Sequence, residues 1–191
     1  MDNSFFTKDE LLQLGFKKIG NNVLLSKKAS VYNTSKISIG NNVRIDDFCI
    51  LSGNITIGSF IHIAAYTALY GASEGIYIDD YSNISSKNSI YAISDDYSGE
   101  SMTNPMIPEK YKKTIDEKVI IEKHVIIGSG CVILPGVILR EGSSFGAMTF
   151  INKSSEPWTI NAGIPFRKIK NRSREILKLE KDFTKEVLES E

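Results

Sequence analysis

The chain lacks a charge excess of either sign. Its 23 Lys and Arg balance 23 Asp and Glu, for a formal net charge of zero. A nucleic-acid binder would carry a basic surplus, so no nucleic-acid partner is expected. Long apolar runs are missing too. None approaches the ~18 residues of a membrane span. The opening stretch MDNSFFTKDE has neither the basic start nor the apolar core of a secretory signal, so a cytoplasmic protein is expected. Cysteine is scarce: Cys49 and Cys131 lack metal-site spacing and are expected to be free thiols. Histidine is equally scarce, with only His62 and His124.

What the chain does have is a beat of six. An aliphatic residue returns at Ile39, Ile45, Leu51, Ile57, Ile63 and Leu69, then at Ile78, Ile84 and Ile90. It resumes at Ile121, Ile127, Ile133, Leu139, Phe145 and Ile151. Four residues after these comes a smaller or β-branched set that includes Val43, Cys49, Thr67, Val125, Cys131 and Thr149. A helix would want apolar spacings of three and four, and a half-buried strand would want two. Six fits a solenoid of short strands and corners, with three hexads to a triangular coil. The aliphatic residue fills the axis, and the small one lets the chain turn past it.

The beat breaks twice. Three extra residues fall near Ala72–Gly75, and a long polar excursion occupies residues 91–118. Such an excursion suggests a binding loop, with Tyr97, Met102, Met106, Ile107 and Tyr111 available for docking. Thr7 and Glu10 have capping-box spacing, and Phe6 with Leu11 suits a hydrophobic staple, so a short helix is expected to end at Gly15. Ile176, Leu179, Phe183 and Val187 predict an amphipathic C-terminal helix packed on the solenoid. The expected organisation is a single all-β solenoid domain: a helical cap over 1–29, the coils over 30–165 with the 91–118 loop, and a C-terminal helical segment over 166–191.

These hexads resemble the left-handed parallel β-helix, hexapeptide-repeat acyltransferases, and the handedness is implied by that resemblance alone. The likeness is sharpest over residues 127–170, where IGSGCVILPGVIL, FGAMTFINKS and WTINAGIPFRKIK follow in order. That order is similar to the galactoside and maltose O-acetyltransferases, to xenobiotic acetyltransferases of the virginiamycin type, and to N-acetyltransferases of nucleotide-linked aminosugars. The resemblance implies a homotrimer with acetyl-CoA as co-substrate, bound between neighbouring solenoids, and no metal. Ser129 and Ala147 would line the pantetheine arm, where small side chains let a ligand approach the backbone. Asn152 and Lys153 would lie at the adenine end. Gly163, Ile164 and Pro165 match a family turn, and Arg167 and Lys170 match positions that hold CoA phosphates. The same glycines also suit plain corners, and the same cations a solvated tail.

The family's sugar O-acetyltransferases use a histidine in the long loop to deprotonate a hydroxyl. Here the loop begins SIYAISDDYSG and has none. Asp96 aligns with the missing histidine, and Asp95 stands beside it. Three solutions are open: an aspartate base with a raised pKa, His62 on a coil face, or an amine acceptor that needs no base. The expected activity is acetyl transfer to a sugar or a nucleotide-linked aminosugar in surface-polysaccharide synthesis. Rival readings are a xenobiotic O-acetyltransferase, a non-catalytic assembly solenoid, and a γ-class carbonic anhydrase. The last needs three histidines, and the chain has two.

Overall fold

The computed structural model describes residues 4–190, apart from the side chains of 187–190. It is a β-solenoid of about seven turns. Its strands stack in three columns, one per side of the coil, and within each column every pairing is parallel until the last strand. The first face stacks Lys18–Ile19, Ile37–Ile39, 55–57, 76–78, Val119–Ile121 and Ile138–Leu139. The second runs from Val23–Leu25 through Ile61–Ile63 to Thr159–Ala162. The third runs from Ser30–Tyr32 through Ser89–Tyr91 to Phe150–Ile151. Ladders between coils satisfy the backbone, which frees the interior for side chains alone.

Every member of the six-residue beat is buried, and so is the smaller set four residues on. Polar members of the smaller set find carbonyls: Thr67 Oγ1 donates to Ser85 O at 3.0 Å, and Ser82 Oγ donates to Glu122 O at 3.1 Å. Both cysteines are free and buried in this lining.

The coils begin earlier than the repeat suggests. Lys18–Ile19 pairs with Ser38 and Ile39, and Val23–Leu25 pairs with 43–45, so the first turn lies inside the segment expected to be a helical cap. The signal was in the chain. Ile19-Gly20-Asn21-Asn22-Val23 recurs as Ile39-Gly40-Asn41-Asn42-Val43, at a spacing of twenty rather than eighteen. A 3₁₀ turn at Thr34–Lys36 absorbs extra chain. The helix itself is short, Lys8–Gln13, with the capping box formed: Glu10 N–H donates to Thr7 Oγ1 at 3.3 Å, and Thr7 N–H to Glu10 Oε2 at 2.7 Å. Phe6 and Leu11 both pack on the core, and Gly15 takes φ +69° just beyond the helix.

The other end also differs from expectation. Residues Arg167–Asn171 form a strand antiparallel to Thr159–Ala162, and the helix starts only at Ile176. The strand covers a sheet edge that would otherwise be open to pairing. The helix docks at one corner of the solenoid, where Phe60, Tyr81 and His124 stack on successive turns and Trp158 leans in from two turns beyond His124. Phe60 and Tyr81 lie 5.1 Å apart, Tyr81 and His124 5.4 Å, and His124 and Trp158 6.2 Å. Gly142 holds this corner on the turn between His124 and Trp158, in a left-handed conformation, and a Cβ there would sit 2.4 Å from the Trp158 ring. Phe183 meets Phe60 edge-on at 5.2 Å. Leu179 is exposed, because the helix is held by Phe183 and by Glu180 rather than by a full apolar stripe. Val187 falls outside the described side chains.

Candidate active site

The 91–118 excursion is built on a two-stranded antiparallel ribbon. Ile93–Asp95 pairs with Thr114–Asp116, so that Asp95 faces Thr114 and Ile93 faces Asp116. Glu117 N–H donates to Ala92 O at 2.9 Å and ties the ribbon's base to the solenoid. Farther out, Met102 N–H donates to Tyr111 O at 2.9 Å, and a 3₁₀ turn covers Glu109–Tyr111. The tip does not dock on its own chain: Tyr97 is 93% exposed and Met106 89%.

Between this excursion and the third face lies a cleft of about 1060 Å³. Its wall carries the stacked rings of Tyr70 and Tyr91, 5.1 Å apart, together with Val132, Phe150 and Asn152. Asp95 lines the cleft, and its carboxylate accepts no hydrogen bond from a described residue. Lys112 also lines it, with a side chain only 8% exposed and an ion pair to Glu109 at 2.7 Å.

Asp96 does different work. Its carboxylate accepts hydrogen bonds from Ser98 N–H, Ser98 Oγ and Ser101 Oγ, each at 2.9 Å. The backbone bond from Ser98, followed by the two hydroxyls, holds its carboxyl below the ordinary value. An anion so stabilised makes a poor proton acceptor. Of the two aspartates, Asp95 lines the cleft, whereas Asp96 is bonded within its own loop. His62 is elsewhere, on the second face. Its Nε2 lies 2.8 Å from Asp46 Oδ2, and Asp46 also accepts from Arg44 Nε at 2.7 Å. Burial opposes the Asp46 charge, but the bonds from Arg44 and His62 prevail and hold its carboxyl low. Within one chain His62 does not reach the cleft.

The residues matched to CoA binding gather in two groups. Strands 126–127, 144–145 and 160–161 are in register, which places Ser129, Ala147 and Gly163 on successive turns at the corner where the third face begins. Ser129 O accepts from Met148 N–H at 2.8 Å, and Phe150 N–H donates to Gly163 O at 3.1 Å. Neighbouring turns approach closely there, because a Cβ on Gly128 would sit 2.6 Å from Ala147 N. Val132 and Phe150 of the cleft wall lie three residues beyond Ser129 and Ala147. Asn152 and Lys153 follow on the top turn, with Lys153 Nζ 5.3 Å from the Phe166 ring. Ile164 and Pro165 form an exposed turn joined by a cis peptide. Arg167 and Lys170 stand exposed on the closing strand, opposite Ala162 and Ile160.

No protein-family model matches the chain. A dTDP-4-amino-4,6-dideoxy-D-glucose acyltransferase of Escherichia coli is 46% identical over 183 residues, 94% of this chain and 95% of that protein. The chain belongs to the hexapeptide-repeat β-helix acyltransferases. AntD, an N-acyltransferase from Bacillus cereus solved with dTDP and 3-hydroxybutyryl-CoA, superposes with a TM-score of 0.95 at 54% identity, covering 97% of this chain and 98% of its own. A putative lipopolysaccharide O-acetyltransferase of Escherichia coli K12, WbbJ, is 25% identical over 160 residues, 76% of each chain. Membership of this family makes the protein an acyltransferase and sets aside the purely structural solenoid.

The cleft of this acyltransferase is lined by residues that the sequence did not disclose. Lys112, Tyr70 and Tyr91 line the cleft with no motif to announce them. Tyr70 and Tyr91 both fall one position after an inward residue of the beat, Leu69 and Ile90, and so point outward on neighbouring turns. That spacing was the available signal. Lys112 had none, since only the path of the excursion brings it back to the wall. His124 is buried among the corner rings and takes no part in the cleft. No helix among the described residues is long and apolar enough to cross a membrane.

Proposed function

We propose that the protein transfers a short acyl group from an acyl-CoA to the sugar amine of dTDP-4-amino-4,6-dideoxyglucose. One observation carries the reading: the cleft offers an unpartnered carboxylate, Asp95, and no histidine. A sugar hydroxyl would need a base of near-neutral pKa to become a competent nucleophile. A neutral amine already has a lone pair. Its nitrogen attacks the thioester carbonyl, the C–N bond forms, and the C–S bond breaks. Coenzyme A leaves as a thiolate, and the proton lost from nitrogen returns it to the thiol. Asp95 orients the amine by accepting one of its N–H bonds. The Escherichia coli relative takes its name from this acceptor, and a mutant of AntD has been solved with it and with CoA.

In this reading, Ser129, Ala147 and Gly163 form the track for the pantetheine arm. Asn152, Lys153, Ile164 and Pro165 flank its far end, and Arg167 and Lys170 meet its phosphates. The exposed Tyr97 and Met106 dock on a second copy, which fits a homotrimer with clefts between neighbours. His62, on another face, would then lie against a partner. An antibiotic hydroxyl is the less favoured acceptor, because nothing in the cleft matches a neutral-pH base.

The test is coenzyme A release, measured over acceptors that include the dTDP-aminosugar, the corresponding 4-hydroxy nucleotide sugar, simple sugars and chloramphenicol. Acetyl-CoA and 3-hydroxybutyryl-CoA serve as alternative donors. Turnover confined to the amine supports the proposal. Equal turnover of the 4-hydroxy compound would overturn it.

A further inference from the structure

The three-residue insertion that first breaks the repeat lies outside the cleft, yet it has an unusual backbone. Ala72, at φ +44°, and Gly75, at φ +95°, bracket Ser73 and Glu74. The turn aims two consecutive N–H groups at one point. The carboxylate of Asp116 occupies that point. Its Oδ2 accepts from Ser73 N–H at 3.2 Å and from the Ser73 hydroxyl, and its Oδ1 accepts from Glu74 N–H at 3.1 Å. Consecutive backbone N–H groups in such a turn make an anion-binding concavity.

Asp116 closes the second ribbon strand. Two residues before it stands Thr114, the partner of Asp95. The side chain that the insertion holds is therefore two register positions along the ribbon from the carboxylate in the cleft. The two interruptions of the beat form one unit, in which the insertion is the socket and the excursion the arm. We propose that Asp116 is a positioning residue for acyl transfer, locked into the 73–74 turn so that Asp95 is fixed against the acceptor amine. The proposal rests on the assignment of Asp95 to the acceptor.

The experiment compares the full-length protein with Asp116→Ala, Asp116→Asn, Ser73→Ala, Asp95→Ala and the double variant Asp95→Ala/Asp116→Ala. Acetyl-CoA and dTDP-4-amino-4,6-dideoxyglucose are the substrates, and thermal melting checks the fold. Misplacing a catalytic group by about 1 Å can cost on the order of a hundredfold, so Asp116→Ala should lower kcat/KM for the acceptor by about ten- to a hundredfold. The KM for acetyl-CoA should stay unchanged. Asp116→Asn keeps one acceptor oxygen and should recover part of the loss, as should Ser73→Ala, which keeps both N–H donors. Should Asp116→Ala fail to fold, these two milder variants carry the same comparison.

In the double variant, Asp116→Ala should add no further loss to that of Asp95→Ala, because one acts through the other. Additive losses would overturn the proposal while leaving Asp95 in place. An Asp95→Ala enzyme with full activity would overturn the acceptor assignment and the positioning role together.

Discussion

The imidazole Nε2 of His124 lies 2.8 Å from a carboxylate oxygen of Glu180, joining the fifth turn of the solenoid to the C-terminal helix. Lys123 pairs with the other oxygen of the same carboxylate. Arg172 Nη1 reinforces the joint, donating to His124 O at 2.8 Å and to Gly142 O at 3.0 Å. The helix is thus fastened mainly by charge-assisted bonds, with Phe183 as its ring contact.

This fastening should be sensitive to acid. Burial opposes the Glu180 charge, but the bonds from Lys123 and His124 prevail and hold its carboxyl below the ordinary value of 4.5. A depressed carboxyl stabilises the fold fully above its unfolded value, and that stability is lost as pH falls through the lower, folded value. Trp158 is the only tryptophan and sits beside His124, so its emission reports on the joint. Emission should change as pH falls below about 4.5. Glu180→Gln should already show the acid-form emission at pH 7. A change in far-UV circular dichroism over the same range would mark global unfolding instead.

The two neighbouring aspartates should separate on mutation. Asp95→Asn removes a charge with no partner in the fold, so thermal stability should stay within about 0.5 kcal/mol. Activity with the amine acceptor should drop about a hundredfold, within the range typical of a positioned catalytic group. Asp96→Asn weakens the turn through Ser98 and Ser101 and should raise the KM for the acceptor with a smaller effect on kcat. Steady-state kinetics with differential scanning fluorimetry checks both. A larger kcat loss at Asp96 than at Asp95 would reverse the assignment.

The corner track offers a third test. Ala147 is exposed and close to the backbone of the turn beneath it. Ala147→Phe should raise the KM for acetyl-CoA at least tenfold, about 1.4 kcal/mol of binding, while leaving the melting temperature and the acceptor KM near their starting values. Isothermal titration with coenzyme A alone gives the same comparison without turnover.

The cysteines should be silent. Burial pushes both thiols above their ordinary value, and both sit in the core lining. A thiolate is the reactive form, so native protein should not react with a disulfide reagent during a coenzyme A release assay. Both thiols should titrate after denaturation. Rapid reaction in the native state would mean that the coils open.

The sequence made the core legible because a period of six survives in composition alone. Ile39 to Ile151 keep their place whatever the loops do. It hid the first turn, because Thr34–Lys36 stretched one interval to twenty and broke the count. It brought the search to Asp95 and Asp96, and alignment alone pointed to Asp96. Which of the two lines the cleft depends on where the ribbon ends: Asp95 is the last residue of the strand paired with Thr114–Asp116, and Asp96 falls in the turn beyond it. Lys112 was invisible for the same reason: its place depends on how the excursion returns. The basic run after Pro165 looked like the start of a helix, but Arg167–Asn171 pairs as a strand because an unpaired sheet edge lies next to it.

That reversed strand has a consequence for how copies of the protein can meet. A stack of identical coils would otherwise present matching rungs top and bottom, inviting head-to-tail growth into fibres. Here the top rung ends in a strand running the wrong way for another coil to continue, and a helix sits over the bottom. Head-to-tail continuation of the coil is therefore blocked by the chain's own closing strand.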